Sequence, residues 1–166
     1  HYSYPRSGKV VVIDPKQSET ADMSSEHHFI KPGTDALLLL AMINTLFSKD
    51  KVSPGKLLEF VPQLTEIEQY VAPYTADRVA HKVGMTASQI EQLVDDFCAA
   101  ESAVCYGRMG ASVQVFGTLT QYLIMLFNIL TGNLDRQGGM MFTQPAADLL
   151  PHSGRGSMGQ FFTRVR

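Results

Sequence analysis

The sequence predicts an α/β fold: a Rossmann-like parallel sheet flanked by helices, with a helical insert and an irregular C-terminal tail. The first observation is a set of three short strand-like runs, at 9–13, 29–31 and 102–106. The second is a pair of almost wholly apolar helical segments, at 36–47 and 119–131. Strands and helices alternate along the chain, and this alternation is typical of a sheet whose parallel strands are joined by helical crossovers.

The first predicted strand contains an unbroken apolar run, Val10 to Ile13, of the kind found in strands that are buried on both faces. It ends at Asp14-Pro15, because proline cannot donate to a sheet ladder and also restricts the residue before it. Asp14 is therefore expected at the carboxyl end of a buried strand. In open α/β sheets nucleotides bind at that edge, where an acid commonly holds a ribose hydroxyl.

The second predicted strand, 29–31, runs through a Pro-Gly-Thr-Asp turn into the apolar helix at 36–47. Either Thr34 or Asp35 is expected to cap this helix, and the exposed amides of its first turn suit an anion or a polar base edge. Two strand ends that each finish in an aspartate therefore form the candidate nucleotide site.

The segment that joins these two strands is short and polar. A helix at 18–23 is predicted within it, in a connection that is near the minimum for a parallel crossover. Just before the second strand, His27-His28 is predicted to be an exposed turn, because adjacent residues of an extended segment point to opposite faces and do not share a metal.

The region after the apolar helix is predicted to be a helical insert, with short pieces near 57–61 and 65–70. Thr75 begins the next helix, which Gly84 ends, and Thr86 opens another through a capping box. The last two helices are spaced as in a helix-turn-helix unit. The second of them is acidic, however, so this pair does not fit a DNA-binding unit.

The third predicted strand, 102–106, ends in a Gly-Arg-Met-Gly loop where the backbone can approach a ligand closely. Arg108 is placed there to meet a phosphate, although ordinary turns also use glycine. The helix at 119–131 follows, and the glycine-rich region 134–166 is predicted to be irregular.

Composition narrows the functional classes. The chain has 166 residues, is 45% hydrophobic and carries a net charge of −2, so it can bury a core but presents no basic surface for nucleic acid. It contains no run of about 18 apolar residues that could span a membrane. Cys98 and Cys105 lack the spacing of a metal site, which leaves a disulfide or two free thiols.

Seven stretches together resemble the molybdopterin oxidoreductases related to dimethyl sulfoxide reductase and formate dehydrogenase. They occur in the family's order and at similar spacing, and they cover most of the chain. These stretches are 12–16, 21–22, 30–37, 106–110, Gln114, 116–118 and 130–142.

The resemblance implies a large enzyme that holds molybdenum or tungsten through two molybdopterin guanine dinucleotides and moves oxygen atoms or electrons. Asp14 would bind ribose hydroxyls, and Asp35 would accept from the N1–H and the exocyclic amine of guanine. Residues 32–34 would shape the pocket, with Met109, Gly110 and Gln114 near a pterin. The candidate cofactor-binding residues are Asp14, Pro15, Lys16, Pro32, Gly33, Thr34, Asp35, Met109, Gly110 and Gln114.

The sequence also departs from the family pattern. Lys16 stands where the family more often has arginine, Gln114 lies one position later than in formate dehydrogenases, and no Cys-x-x-Cys motif or recognisable metal ligand is present. We therefore expect a central piece of a longer protein that is inactive alone. Residues 1–133 would be a dinucleotide-binding domain whose first half lies upstream, and 134–166 would lead to the next domain.

The remaining expectations concern the parent protein. Its partners would be the rest of the parent chain and an electron-transfer subunit, with any iron–sulfur cluster lying elsewhere. Its location, cytoplasmic or periplasmic, would depend on its own signal. The rival interpretation is a non-catalytic nucleotide-binding or scaffold domain of the same fold. A nicotinamide dehydrogenase is disfavoured because no Gly-x-Gly-x-x-Gly turn is present.

Overall fold

The computed structural model describes residues 8–61 and 63–141. Over these residues the fold is mixed α/β and mostly helical. In chain order its elements are β1 Val11–Ile13, α1 Glu19–Asp22, β2 Glu26–His28, α2 Asp35–Ser48, a 3₁₀ helix Gly55–Phe60, α3 Leu64–Val71, α4 Ala76–Val83, α5 Ala87–Ala99, α6 Met109–Ser112 and α7 Gly117–Leu130.

The two strands form a parallel sheet, as predicted, with Val12 opposite His27. Their connection contains α1, whose first turn is capped by Ser18, the residue at which the predicted helix begins. The Ser18 hydroxyl accepts from the backbone N–H of Ala21 at 3.3 Å, which satisfies one of the donors that a helix start leaves open. A four-residue helix is therefore enough to return the chain for parallel pairing.

The expectation that the first strand is buried on both faces is wrong. Val11 and Ile13 pack against the core, but all three residues of β1 are only half-buried, and Val10 before it is 44% exposed. The reason is that the helical core lies on one side of β1. Within the part of the chain that the structure describes, β2 is its single neighbouring strand.

The second strand lies at Glu26–His28, directly before the predicted segment 29–31. The expected exposed turn at His27-His28 is therefore wrong. His28 is buried, and its Nε2 atom lies 2.8 Å from Glu26 Oε1 without the geometry of a hydrogen bond. Phe29, which suggested the later boundary, is 58% exposed and packs edge-on against the His27 ring at 4.5 Å.

The predicted third strand at 102–106 is also wrong, because the structure has no strand there. Two buried asparagines hold this segment instead. Cys105 N–H donates to Asn128 Oδ1 at 3.0 Å, and Asn128 Nδ2 donates to the Cys105 carbonyl at 2.8 Å. Asn133 Oδ1 accepts from Ala103 N–H at 3.2 Å. Side-chain amides thus take the hydrogen-bonding place of a neighbouring strand.

The core forms where α2 packs against the other long helices, α4, α5 and α7. The predicted helices at 36–47 and 119–131 are confirmed as α2 and α7. Ile43 and Leu46 of α2 are fully buried, as are Phe127 and Leu130 of α7. Phe97 of α5 meets Phe127 edge-to-face with ring centroids 4.9 Å apart, which fixes the orientation of α5 on this core.

The helices of the insert begin and end where the sequence signals predict. The capping box is present, since Thr86 Oγ1 accepts from Gln89 N–H at 3.2 Å and Gln89 Oε1 accepts from Thr86 N–H at 2.8 Å. Gly84 ends α4 in the left-handed conformation at φ 84°, which glycine adopts without strain. Thr75 occupies the N-cap position of α4, but its side chain makes no capping bond.

After α7, residues 134–141 contain one isolated bridge, between Leu134 and Met140. The rest of the predicted irregular region, 142–166, lies outside the described residues. Among the helices of the described chain, none is long and apolar enough to cross a bilayer.

Candidate functional site

A cleft of about 650 Å³ lies where the carboxyl end of β1 and the turn at 32–33 meet the start of α2 and the short helix α6. Its apolar floor comes from Leu38, Leu39 and Met42 of α2. Seven of the ten predicted cofactor-binding residues line it: Asp14, Pro15, Pro32, Gly33, Asp35, Gly110 and Gln114. The two aspartates that the sequence analysis singled out therefore line one cleft, although they are 21 positions apart in the sequence.

Asp14 follows β1 directly and is held by its neighbours. Its backbone N–H donates to the His28 carbonyl at 3.2 Å, which extends the strand pairing by one bond. Its Oδ1 atom accepts from Lys16 N–H at 2.7 Å and closes a tight turn over Pro15. Within the described chain Oδ2 has no hydrogen-bond partner, so one carboxylate oxygen is left for a ligand.

Asp35 is the first residue of α2 and is half-buried. The turn before it is closed by the Lys31 carbonyl, which accepts from the Thr34 hydroxyl at 2.7 Å and from the Thr34 N–H at 3.3 Å. Thr34 therefore occupies the N-cap position without a side-chain cap, contrary to the expected role. Gly33 has φ 79°, the left-handed conformation that this turn requires. The turn leaves Asp35 at the cleft wall beside the positive end of α2.

Gln114 connects the opposite wall of the cleft to Asp35. Its Nε2 atom donates to Asp35 Oδ2 at 3.0 Å and to the Gly110 carbonyl at 2.9 Å. Gln114 and Asp35 are 79 positions apart in the sequence, so only the tertiary fold brings them together. The Oε1 atom of Gln114 is buried and has no partner among the described residues.

The loop at 107–110 passes close to α7. A β-carbon on Gly107 would lie 2.5 Å from Ile124 Cδ1, which explains why glycine stands there. Arg108 follows at the N-cap position of α6, is exposed and lines the cleft. In the described chain its guanidinium forms no ion pair. The cleft thus presents two carboxylates and one available guanidinium.

The chain is similar to several proteins of known identity, although no protein-family model matches it. It is 28% identical over 128 residues to formate dehydrogenase H from Escherichia coli, which covers 77% of this chain. It is 25% identical over 137 residues to the molybdopterin-containing subunit of thiosulfate reductase from Salmonella typhimurium, which covers 81% of this chain. These similarities support the predicted resemblance to the molybdopterin oxidoreductases. It spans 18% of the length of each of these two relatives.

A solved structure supports the fold of this chain. Acetylene hydratase from Pelobacter acetylenicus aligns with a TM-score of 0.67 and 24% identity, covering 75% of this chain and 17% of that one. At this identity the likeness concerns the fold alone. It is consistent with the mixed α/β arrangement of the described residues.

Three of the predicted residues do not line the cleft: Lys16, Thr34 and Met109. Lys16 contributes its backbone N–H to Asp14 while its side chain is exposed. Thr34 turns its hydroxyl back to Lys31, and Met109 is 68% exposed on α6. Each of them is adjacent in sequence to a residue that lines the cleft. Lys16 contributes only its backbone, and the side chains of Thr34 and Met109 point elsewhere.

Sequence reasoning did not include Cys105 in the site, yet it lines the cleft beside Tyr106. Burial raises the pKa of the Cys105 thiol to about 12, so this group is neutral at physiological pH. Burial also raises the pKa of Cys98. Neither cysteine is in a disulfide, which leaves the free-thiol alternative. The sequence signal available for Cys105 is its position two residues before the Gly-Arg-Met-Gly loop, within a predicted strand.

Proposed function

We propose that this chain binds the guanosine end of one pterin dinucleotide in a molybdenum or tungsten oxidoreductase. The observation that carries the proposal is the common cleft of Asp14, at the carboxyl end of β1, and Asp35, at the start of α2 after the turn that follows β2. That edge is the usual nucleotide position in parallel α/β sheets. The volume of about 650 Å³ also lies in the ordinary range of small-ligand sites.

The donors and acceptors of the cleft suit guanosine. Asp35 offers a carboxylate to the N1–H and the exocyclic amine of guanine, which together match two acceptor oxygens. Asp14 offers its unpartnered oxygen to a ribose hydroxyl, as acids at this edge commonly do. Arg108 supplies the positive charge that a phosphate requires.

The pterin end of the dinucleotide would extend past α6. Met109 and Gly110 are the residues we assign to its neighbourhood, with Pro15, Lys16 and the turn at 32–34 shaping the guanosine end. The pterin would carry the metal at which oxygen-atom or electron transfer takes place. The residues of this chain would hold and orient the far end of the cofactor, and they would leave the metal ligand to another part of the parent protein.

We also propose that the two-stranded sheet is part of a larger Rossmann-like sheet in the parent protein. Support comes from the parallel register, the helical crossover and the position of the cleft. On this basis residues 1–133 belong to the dinucleotide-binding domain and 134–166 lead to the next one. An electron-transfer subunit and an iron–sulfur cluster elsewhere in the parent remain part of the proposal.

The surface of α6 and α7 supports the rest of the parent chain as the main partner. Large apolar side chains are exposed on these two helices and on the segment that joins them, and such surfaces commonly mark contacts with another part of a protein. They are Met109, Val113, Val115, Phe116, Leu119 and Tyr122. The length of the relatives provides a covering partner, because this chain spans only 18% of formate dehydrogenase H.

The test is Asp35→Ala in the full-length protein, with guanine and metal content measured after purification. We expect bound guanine and molybdenum or tungsten to fall several-fold with little change in thermal stability, because the substitution removes the acceptor pair and no core packing. The matched control is Asp77→Ala, an exposed aspartate in the first turn of α4 outside the cleft. Full occupancy in Asp35→Ala would refute the role of Asp35. A wild-type protein without metal and guanine would favour the scaffold interpretation.

A further inference from the structure

The side-chain amide of Gln114 has a defined orientation. Its Nε2 atom faces two acceptors, Asp35 Oδ2 at 3.0 Å and the Gly110 carbonyl at 2.9 Å. Reversing the amide would set an oxygen against two oxygens, which is unfavourable. The Oε1 atom must therefore point away from both acceptors.

This orientation leaves Oε1 buried without a partner among the described residues. Buried polar atoms are nearly always hydrogen-bonded, because an unpaired acceptor loses its bond to water and gains nothing in return. Gln114 lines the cleft, so a ligand there is the nearest source of a donor. The group that Oε1 lacks is a hydrogen-bond donor.

We propose that Gln114 is a specificity-determining residue whose Oε1 atom accepts a hydrogen bond from the exocyclic amine of guanine. The inference rests on the proposed function, because it takes the Asp35 carboxylate as the receptor of the guanine edge. The amine carries two hydrogens, and Asp35 uses one of them, so the second is available to Gln114. The family resemblance sets Gln114 near a pterin, whereas its bond to Asp35 assigns it to the base.

The same bond defines what happens before the ligand binds. In the structure Nε2 of Gln114 donates to Asp35 Oδ2, the atom that would accept from guanine. The Gln114 amide thus occupies the position at Oδ2 that the base would take, and it orients the Asp35 carboxylate for binding. When guanine enters, Oδ2 accepts from the base as well, and Gln114 gains its missing partner.

This arrangement selects among purines by their donors. Adenine presents a ring nitrogen acceptor toward the Asp35 carboxylate, which is repulsive. Hypoxanthine keeps the N1–H but lacks the exocyclic amine, so it satisfies Asp35 in part and leaves Gln114 Oε1 unpaired. Guanine alone of the three supplies donors to both residues. The preference for guanine over hypoxanthine therefore reports on Gln114.

The experiment is calorimetric titration of the cofactor-free full-length protein with guanosine diphosphate and with inosine diphosphate. We expect wild type to prefer guanosine diphosphate, and Gln114→Leu to reduce that preference by roughly two- to tenfold, the usual effect of one neutral hydrogen bond. Gln114→Ala repeats the test if the leucine variant does not fold. Gln92→Leu is the matched control, since Gln92 donates to the Asp96 carboxylate at 2.5 Å on α5, outside the cleft.

The outcomes separate the two proposals. If wild type binds neither nucleotide, the proposed function fails, and the inference falls with it. If Asp35→Ala abolishes binding while both Gln114 variants keep the full guanosine preference, the proposed function stands and the role of Gln114 is wrong. A reduced preference in the Gln114 variants, with Gln92→Leu unchanged, establishes the inference.

Discussion

Gly107 lies at the point where the loop of the cleft passes against α7. A β-carbon there would meet Ile124 Cδ1 at 2.5 Å and Ala111 Cβ at 3.0 Å. Both neighbours belong to helices that are packed around the cleft, so neither can move without shifting its wall. The absence of a side chain at 107 therefore sets how closely the loop and α7 approach.

Gly107→Ala is expected to lower the free energy of unfolding by about 1–3 kcal/mol, the usual cost of an added carbon in a tightly packed place. Chemical denaturation of wild type and variant measures it. The matched control is Gly110→Ala in the adjoining short helix α6, where a β-carbon would have no atom within 4 Å. Equal stabilities of Gly107→Ala and wild type would mean that the loop is loosely held.

Single residues also show how much of the candidate site can be predicted from the sequence. Asp14 and Asp35 could be predicted because a proline after a strand and a turn before a helix are local signals. The bond between Gln114 and Asp35 could not, since it spans 79 positions and depends on how α6 packs. The position of Cys105 in the cleft lining was not predicted for the same reason.

At the level of elements, the acidic face of α5 is bound to the end of α2 by ion pairs. Lys49 Nζ lies 2.9 Å from both Glu91 Oε2 and Asp95 Oδ2, and Lys51 Nζ lies 3.0 Å from Asp95 Oδ1. Hydrogen bonds from Lys49 and then Lys51 lower the pKa of Asp95 below its usual value. Asp95 thus joins two lysines at the junction of the helical insert and the core.

Asp95→Asn is expected to lower the free energy of unfolding at pH 7 by up to about 1 kcal/mol, as for other partly exposed ion pairs. Because the folded pKa lies below the unfolded one, this contribution is present above the unfolded value near 4 and disappears as the pH falls through the folded value. Thermal denaturation at pH 7 and pH 2, with Asp77→Asn as the control, measures it. A difference that does not decrease at all between pH 7 and pH 2 would contradict the ionic origin.

Elements differ in how well the sequence predicts them. Helices α2, α5 and α7 follow from spacing and caps, which are properties of neighbouring residues. The strands did not: the second pairs at Glu26–His28, before the apolar segment 29–31, and the run at 102–106 makes no strand. A strand exists only through its partner, and at 102–106 Asn128 and Asn133 supply the hydrogen bonds.

At the scale of the whole molecule, the chain corresponds to one part of its longer relatives. The cleft has Pro32 and Arg108 exposed at its wall, and large apolar side chains are exposed on α6 and α7. Both features agree with a parent protein in which further residues complete the pocket and cover that surface. The residues of this chain would then contribute specific contacts but only part of the burial that tight binding needs.

The isolated chain is therefore expected to bind guanosine diphosphate weakly, with a dissociation constant of about 1 mM or more, and to show no turnover. The donors for the base and ribose are present, but partial enclosure leaves much of the nucleotide in water. Calorimetry on the 166-residue chain measures the affinity, and circular dichroism establishes that the chain is helical. Asp35→Ala tests whether the weak binding occurs in the cleft. Tight, stoichiometric binding would mean that this chain alone forms the complete pocket.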